Sequence, residues 1–237
     1  AINVAEPEPY TRVNLGLATP DSSWTGIAYN AFKDEGNDAG GKKFFGEINL
    51  WLQNGASWTN EAWGEPPDAY YGEDFSESHL KRLVGGESAD KAGHIFQKPG
   101  EDEDSEGINI RVDDYKGFTN VYYGHKDEKP TDILGGTFTV TKAQPGSGIT
   151  LITDSKGLNV DSSKAADKNL ASATLNALAN KLFYTAYKNG ETNLTGKVEI
   201  AEGLTTSAVA KKTGNISFKN GTGQGEYIYT PEEDPSG

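Results

Sequence analysis

With 237 residues the chain is long enough to bury a core without staples, and the absence of cysteine removes disulfides, thiolate metal sites and thiol catalysis together. Its net charge of −13 comes from 35 acidic and 22 basic residues, with no Lys/Arg cluster larger than a pair. That balance excludes the basic stripe required by nucleic acid or an anionic membrane surface. No apolar stretch approaches the roughly 20 residues of a membrane span, so no direct membrane insertion by this segment is expected. Ala1 in place of Met reads as a processed or excised chain, and the missing cysteines suit passage across a bacterial envelope.

Apolar and polar residues alternate along most of the chain, the period-two pattern of strands with one buried face, and the 29 glycines, with Asn and Asp, supply the turns between them. The first such strand is Val13–Leu17, followed by Ser23-Trp24-Thr25-Gly26. The text then repeats: Ile48-Asn49-Leu50-Trp51-Leu52 leads into Ser57-Trp58-Thr59-Asn60, one residue closer. Weakly repeated strand–turn–strand units mark a solenoid, in which each coil buries its inner face on its neighbours. Between the two copies, Lys33 to Lys43 is rich in Gly, Asp and Asn and reads as an exposed loop.

Aromatics gather next. Trp51, Trp58, Trp63, Tyr70 and Tyr71 fall within twenty-one residues and are the candidate binding residues, because exposed indole and phenol faces stack on sugars and anchor protein interfaces. Trp51, between Leu50 and Leu52, should point outward if those two point in. A second loop, Pro99 to Gly107, carries Asp102, Asp104 and Glu106 ahead of Gly107, with Asp113 at the twelfth position counted from Asp102. This imitates a calcium loop, although Asn109 stands where such loops carry an apolar residue. Ca²⁺ is therefore a weak candidate ion at Asp102, Asp104 and Glu106, and no other cofactor is expected.

Further strands are expected at Ile108–Val112, Thr119–Tyr123, Thr137–Thr141, Ile149–Ile152 and Leu158–Val160, then at Val198–Ile200, Ile216–Phe218 and Tyr227–Tyr229. One stretch breaks the pattern. From Lys164 to Tyr187 Gly and Pro vanish, and Ala171, Leu175, Leu178, Leu182 and Ala186 form one helical stripe. The spacing predicts a long helix over about 164–188, capped by Ser162 or Ser163 and stopped by Asn189-Gly190. The resulting division is a β-solenoid segment over 1–160, a packed or capping helix over 161–190, and further coils with an acidic linker over 191–237.

Catalytic signatures are missing. His79, His94 and His125 show no metal-ligand spacing, no nucleophile-elbow motif occurs, and Gly146-Ser147-Gly148 reads as a turn. Carboxylate pairs suited to sugar cleavage arise by chance among 35 acidic residues and decide nothing.

The stretch Ile48-Asn49-Leu50-Trp51-Leu52-Gln53-Asn54-Gly55-Ala56-Ser57-Trp58-Thr59 resembles passenger domains of pertactin-like bacterial autotransporters, as do Ile133–Val140 and Gly148–Thr153. Leu175–Leu182 with Asn193-Leu194-Thr195-Gly196 is similar to long surface adhesins. The resemblance implies a right-handed parallel β-helix, type V secretion through an outer-membrane barrel, and a place at the bacterial cell surface with a role in cell adhesion or biofilm. No active-site motif comes with it. The expectation is thus an all-β solenoid with loop excursions and one helix, with a β-sandwich as the alternative. It would be a non-catalytic adhesin passenger that meets a host-surface protein or glycan, or copies of itself. A carbohydrate-active enzyme on a β-helix and a structural stalk or filament subunit are the rival readings.

Overall fold

A computed structural model describes residues 2–4, 11–30, 32–34, 42–44, 46–61, 77–100, 107–161 and 163–228. The first strands in chain order are β1 (Ile2–Val4), β2 (Thr11–Leu17), β3 (Ser23–Thr25), β4 (Ala28–Asn30), β5 (Phe32–Asp34) and β6 (Lys42–Phe44). They continue as β7 (Gly46–Leu52), β8 (Ser57–Asn60), β9 (Glu77–Val84), β10 (Gly93–Gln97), β11 (Asn109–Lys116), β12 (Phe118–Tyr123), β13 (His125–Lys126) and β14 (Lys129–Ile133). After these come β15 (Phe138–Ala143), β16 (Ser147–Asp154), the helix α1 (Ala165–Ala179), β17 (Leu182–Tyr184), β18 (Leu194–Ala201), β19 (Ala210–Phe218) and β20 (Gly225–Ile228).

Most of the described residues are in strands, and two sheets carry them. A six-stranded sheet runs β17-β15-β11-β9-β7-β2, and an eight-stranded sheet runs β20-β19-β18-β16-β12-β10-β8-β3. Successive strands alternate between them: β2 lies in the first and β3 in the second, then β7 and β8, β9 and β10, β11 and β12, β15 and β16, β17 and β18. Pairing is parallel throughout both sheets until β18, β19 and β20, which pair antiparallel. Parallel ladders are buried on at least one face because their connections must cross over the core.

The repeated text stacks in register. Val13 pairs with Ile48, Asn14 with Asn49, Leu15 with Leu50, Gly16 with Trp51 and Leu17 with Leu52. In the other sheet Ser23, Trp24 and Thr25 pair with Ser57, Trp58 and Thr59. The one-residue difference in spacing is taken up in the turn, where Asn54 and Gly55 adopt positive φ. One apolar cluster extends from Leu17 to Phe218 and is built from the inward residues of both sheets, among them Ile48, Leu50, Leu83, Ile95, Val112, Val121, Val140 and Leu151.

Three adjacent strands share an interruption of the period-two pattern. In β9 Leu80 and Leu83 point in, in β11 Val112 and Tyr115, and in β15 Val140 and Ala143. The intervening pairs Lys81-Arg82, Asp113-Asp114 and Thr141-Lys142 all face out. Each strand therefore turns a corner at the same height, and the corner is lined with charge.

The helix departs from its expected extent. It ends at Ala179, not near 188, and Lys164 takes the N-cap position with no side-chain cap bond; Ser163 does not cap it and Ser162 lies outside the described residues. Leu182 and Ala186, which continue the helical stripe in sequence, belong instead to β17 and to a 3-10 turn over Thr185–Asn189. Leu182 pairs with Phe138 and Tyr184 with Val140, and both are fully buried. Core burial in a ladder outweighs the small differences in helix propensity. Gly190 does adopt the expected left-handed conformation, but it closes the 3-10 turn. Ala171, Thr174, Leu175, Leu178 and Ala179 are the buried face of α1, which lies against β14, β16, β18 and β20.

Two other expectations change. Leu158–Val160 is not a strand; it follows a turn, with Leu158 and Val160 resting against the core. The stretch Lys33–Lys43 is entered and left through an antiparallel pair, β5 with β6, and residues 35–41 lie outside the described set.

Candidate functional site

Alternation fixes which side chains the outer face displays. On β2 and β7 the outward rows are Arg12 with Glu47, Asn14 with Asn49, and Gly16 with Trp51. Arg12 Nε donates to Glu47 Oε2 at 2.6 Å, and Asn49 Nδ2 donates to Asn14 Oδ1 at 2.9 Å. Trp51 is part-exposed between the buried Leu50 and Leu52, facing outward as its sequence position implies. Beyond it in the same row stand Val84 and Lys116, and beyond Asn49 stand Arg82, Asp114 and Lys142.

Trp58 is a correction. Expected as a binding residue, it is completely buried, its indole N–H donating to the Gly26 carbonyl at 2.8 Å. The middle residue of Ser57-Trp58-Thr59 points inward, so its ring serves the core. Trp63, Tyr70 and Tyr71 lie outside the described residues, as do Asp102, Asp104 and Glu106. Of the imagined calcium loop the structure describes Asp113, and it is occupied otherwise: it lies in β11 with Oδ1 3.2 Å from His79 Nε2 and Oδ2 3.3 Å from Lys81 Nζ. No group of metal-ligating side chains occurs among the described residues.

His79 is buried and joins two layers of this region. Its Nδ1 lies 3.1 Å from Asn30 Nδ2, and Asn30 Nδ2 also donates to the Gly46 carbonyl at 2.8 Å. Burial raises the Asp113 carboxyl, but His79 and Lys81 outweigh it and hold the group below the ordinary carboxylate range.

Farther along the charged corner is an open depression of about 310 Å³ lined by Arg82, Asp114, Lys142, Glu191 and Asn193. Glu191 Oε1 accepts the Tyr184 hydroxyl at 2.6 Å, Asn193 Nδ2 at 3.0 Å and the Ala143 amide at 3.3 Å. The Tyr184 hydroxyl, foremost, holds the Glu191 carboxyl low. A carboxylate with three donors and a depressed pKa is a structural fastener and a poor general acid, which needs the opposite shift.

The eight-stranded sheet carries a second outer-face group. Phe96 stacks on Tyr122 with ring centroids 4.7 Å apart, and the Tyr122 hydroxyl lies 3.0 Å from His94 Nδ1. Tyr122, Ile152 and Ala201 are buried beneath Leu204 and Ala208, which follow β18. Burial lowers the His94 pKa, and it raises that of Glu199, which stands in register with Ile152.

Gly16, the Asn14–Asn49 pair and the His79–Asp113 contact were not singled out from sequence. The in-register repeat carried the signal for the first two, since aligning the copies places Gly16 opposite Trp51 and Asn14 opposite Asn49. Comparison with protein-family models, with curated proteins and with solved structures finds no match.

Proposed function

We propose that the chain is an adhesin-type binding segment, a right-handed parallel β-helix whose stacked coils hold an outer face free to touch other molecules. Strand alternation between two parallel sheets supports the solenoid reading, because a chain that visits two sheets in turn and always advances one strand traces successive coils. The observation that carries the reading is the in-register repeat, with Asn on Asn and Trp on Trp, while Trp51 is turned outward between two core leucines. Such a scaffold spends its apolar residues inward and leaves the outer rows to recognition. Its setting is the bacterial surface, as an autotransporter passenger, and its partners are a host-surface protein or glycan, or further copies of itself.

Two measurements test this. Small-angle scattering of the purified chain should give the profile of an elongated particle, and a compact globule would overturn the solenoid. Adhesion of the chain to host cells, matrix or chain-coated beads should fall in Trp51→Ala; equal adhesion would remove Trp51 from the site, and none by the parent would remove the adhesin reading.

A further inference from the structure

Five glycines within the strands have visible reasons. A Cβ at Gly93 would strike the Leu52 carbonyl, at Gly148 the Phe118 ring, at Gly196 Ile216, at Gly214 the Tyr227 ring and at Gly225 the Ala179 carbonyl. By contrast, Gly16 lies inside β2 without positive φ, and a Cβ there would meet nothing within 4 Å among the described residues. Neither backbone conformation nor packing asks for glycine at this position. A strand glycine of this kind marks a place where something from outside comes close.

What borders the opening is specific. Across the ladder, about 4.8 Å away, is Trp51, part-exposed on the same face, and its ring does not fill the space over Gly16. One outward position back stand Asn14 and Asn49, joined by the 2.9 Å bond, with the exposed Asn14 amide nitrogen making no hydrogen bond among the described residues. Of the nearby cations, Arg12 is held by Glu47, and Arg82, in register with Asn49, has Asp114 on its other side.

We propose that Gly16, Trp51 and the Asn14–Asn49 pair form a stacking subsite for a neutral pyranose of a glycan. The C–H face of a sugar ring lies on the indole, the missing side chain at position 16 gives the ring room, and the amides meet its hydroxyls. A carboxylate or sulfate would meet the carboxylates of Glu47 and Asp114 at the borders of the site, with Arg12 already paired, so the ligand class is neutral. The proposal rests on the adhesin reading and names the ligand for the Trp51 region.

The test is an array of galactose-, glucose- and N-acetylglucosamine-terminated oligosaccharides beside sialylated and sulfated ones, probed with the chain displayed multivalently because single-site stacking is weak. The parent should bind neutral glycans. Gly16→Val, which suits a strand and whose Cβ meets no described atom within 4 Å, should keep the parental melting temperature and weaken binding at least about tenfold; Trp51→Ala should weaken binding to a similar degree. Parental binding by Gly16→Val, or binding confined to acidic glycans, overturns the subsite. Adhesion to cells or matrix with an unresponsive array overturns the subsite and leaves the adhesin reading standing; no binding of either kind ends both.

Discussion

Trp24 lies flat on Trp58, ring centroids 5.0 Å apart and planes within 7° of parallel, so a completely buried indole is covered by its own counterpart from the neighbouring strand. The contact is what an in-register repeat produces when a large aromatic falls on an inward position. Trp58 has no exposure, whereas Trp24, on the edge strand, keeps part of its surface open. The inner residue carries the packing.

Trp58→Ala should accordingly cost about 3–5 kcal/mol in a urea titration, the usual range for removing a buried large aromatic. Trp24→Ala should cost clearly less. Trp58→Phe should still be destabilising by about 1–3 kcal/mol, since it leaves the Gly26 carbonyl without its donor. Equal effects for the two alanine variants would contradict the burial difference.

Glycine substitutions should split by position. Gly93→Ala drives a Cβ into the Leu52 carbonyl and should destabilise by about 1–3 kcal/mol. Gly16→Ala meets nothing among the described residues and restricts the unfolded chain, so thermal melting should show no change or a gain of about 0.4–1 kcal/mol. A loss at Gly16 comparable to that at Gly93 would mean the space above it is filled.

Asp113 supplies a pH dependence of definite sign. Despite burial, His79 and Lys81 keep its folded-state pKa below the ordinary 3.8. Its contribution to stability is therefore present above that value and disappears as pH falls through the folded-state pKa. Asp113→Asn should be less stable than the parent at pH 6, with the gap closing in strong acid. Chemical denaturation at pH 6 and pH 2.5 reads the difference.

Glu199 should do the reverse. Burial raises its pKa above the ordinary 4.5, so the folded state favours the protonated carboxyl. That contribution is complete below the unfolded pKa and fades as pH rises through the raised value. Glu199→Gln should stabilise the chain at pH 7 and make little difference at pH 3. A destabilised variant at pH 7 would show that Glu199 has an ionic partner whose attraction exceeds its burial cost.

The strands with clean alternation could be read from the sequence, as could the outward direction of Trp51, since both depend only on local period. Strand β9 was harder. Its buried Ser78 and His79 break the apolar pattern, and the Lys81-Arg82 pair between Leu80 and Leu83 breaks the period. Leu182 and Ala186 keep helical spacing, so local period alone carries the helix past its end at Ala179. Only the pairing of Leu182 with Phe138, forty-four positions earlier, reveals the switch. The aromatic neighbours of Trp58 in sequence suggest a surface cluster, while the polar residues on either side mark it as inward. Gly16 could not be interpreted from its own neighbourhood. Its meaning depends on what stands beside it one strand away.

Asn60 has a wider reach than its single position suggests. Buried at the end of β8, it accepts from the Ser78 hydroxyl and donates to Gln97 Oε1 and the Ile108 carbonyl, while that same Ser78 oxygen accepts from the Ala28 amide. Five stretches of chain widely separated in sequence thus share one small set of protons and lone pairs. Damage at any member strands the others in a dry interior, so paired substitutions within the set should fall well short of the sum of the single ones.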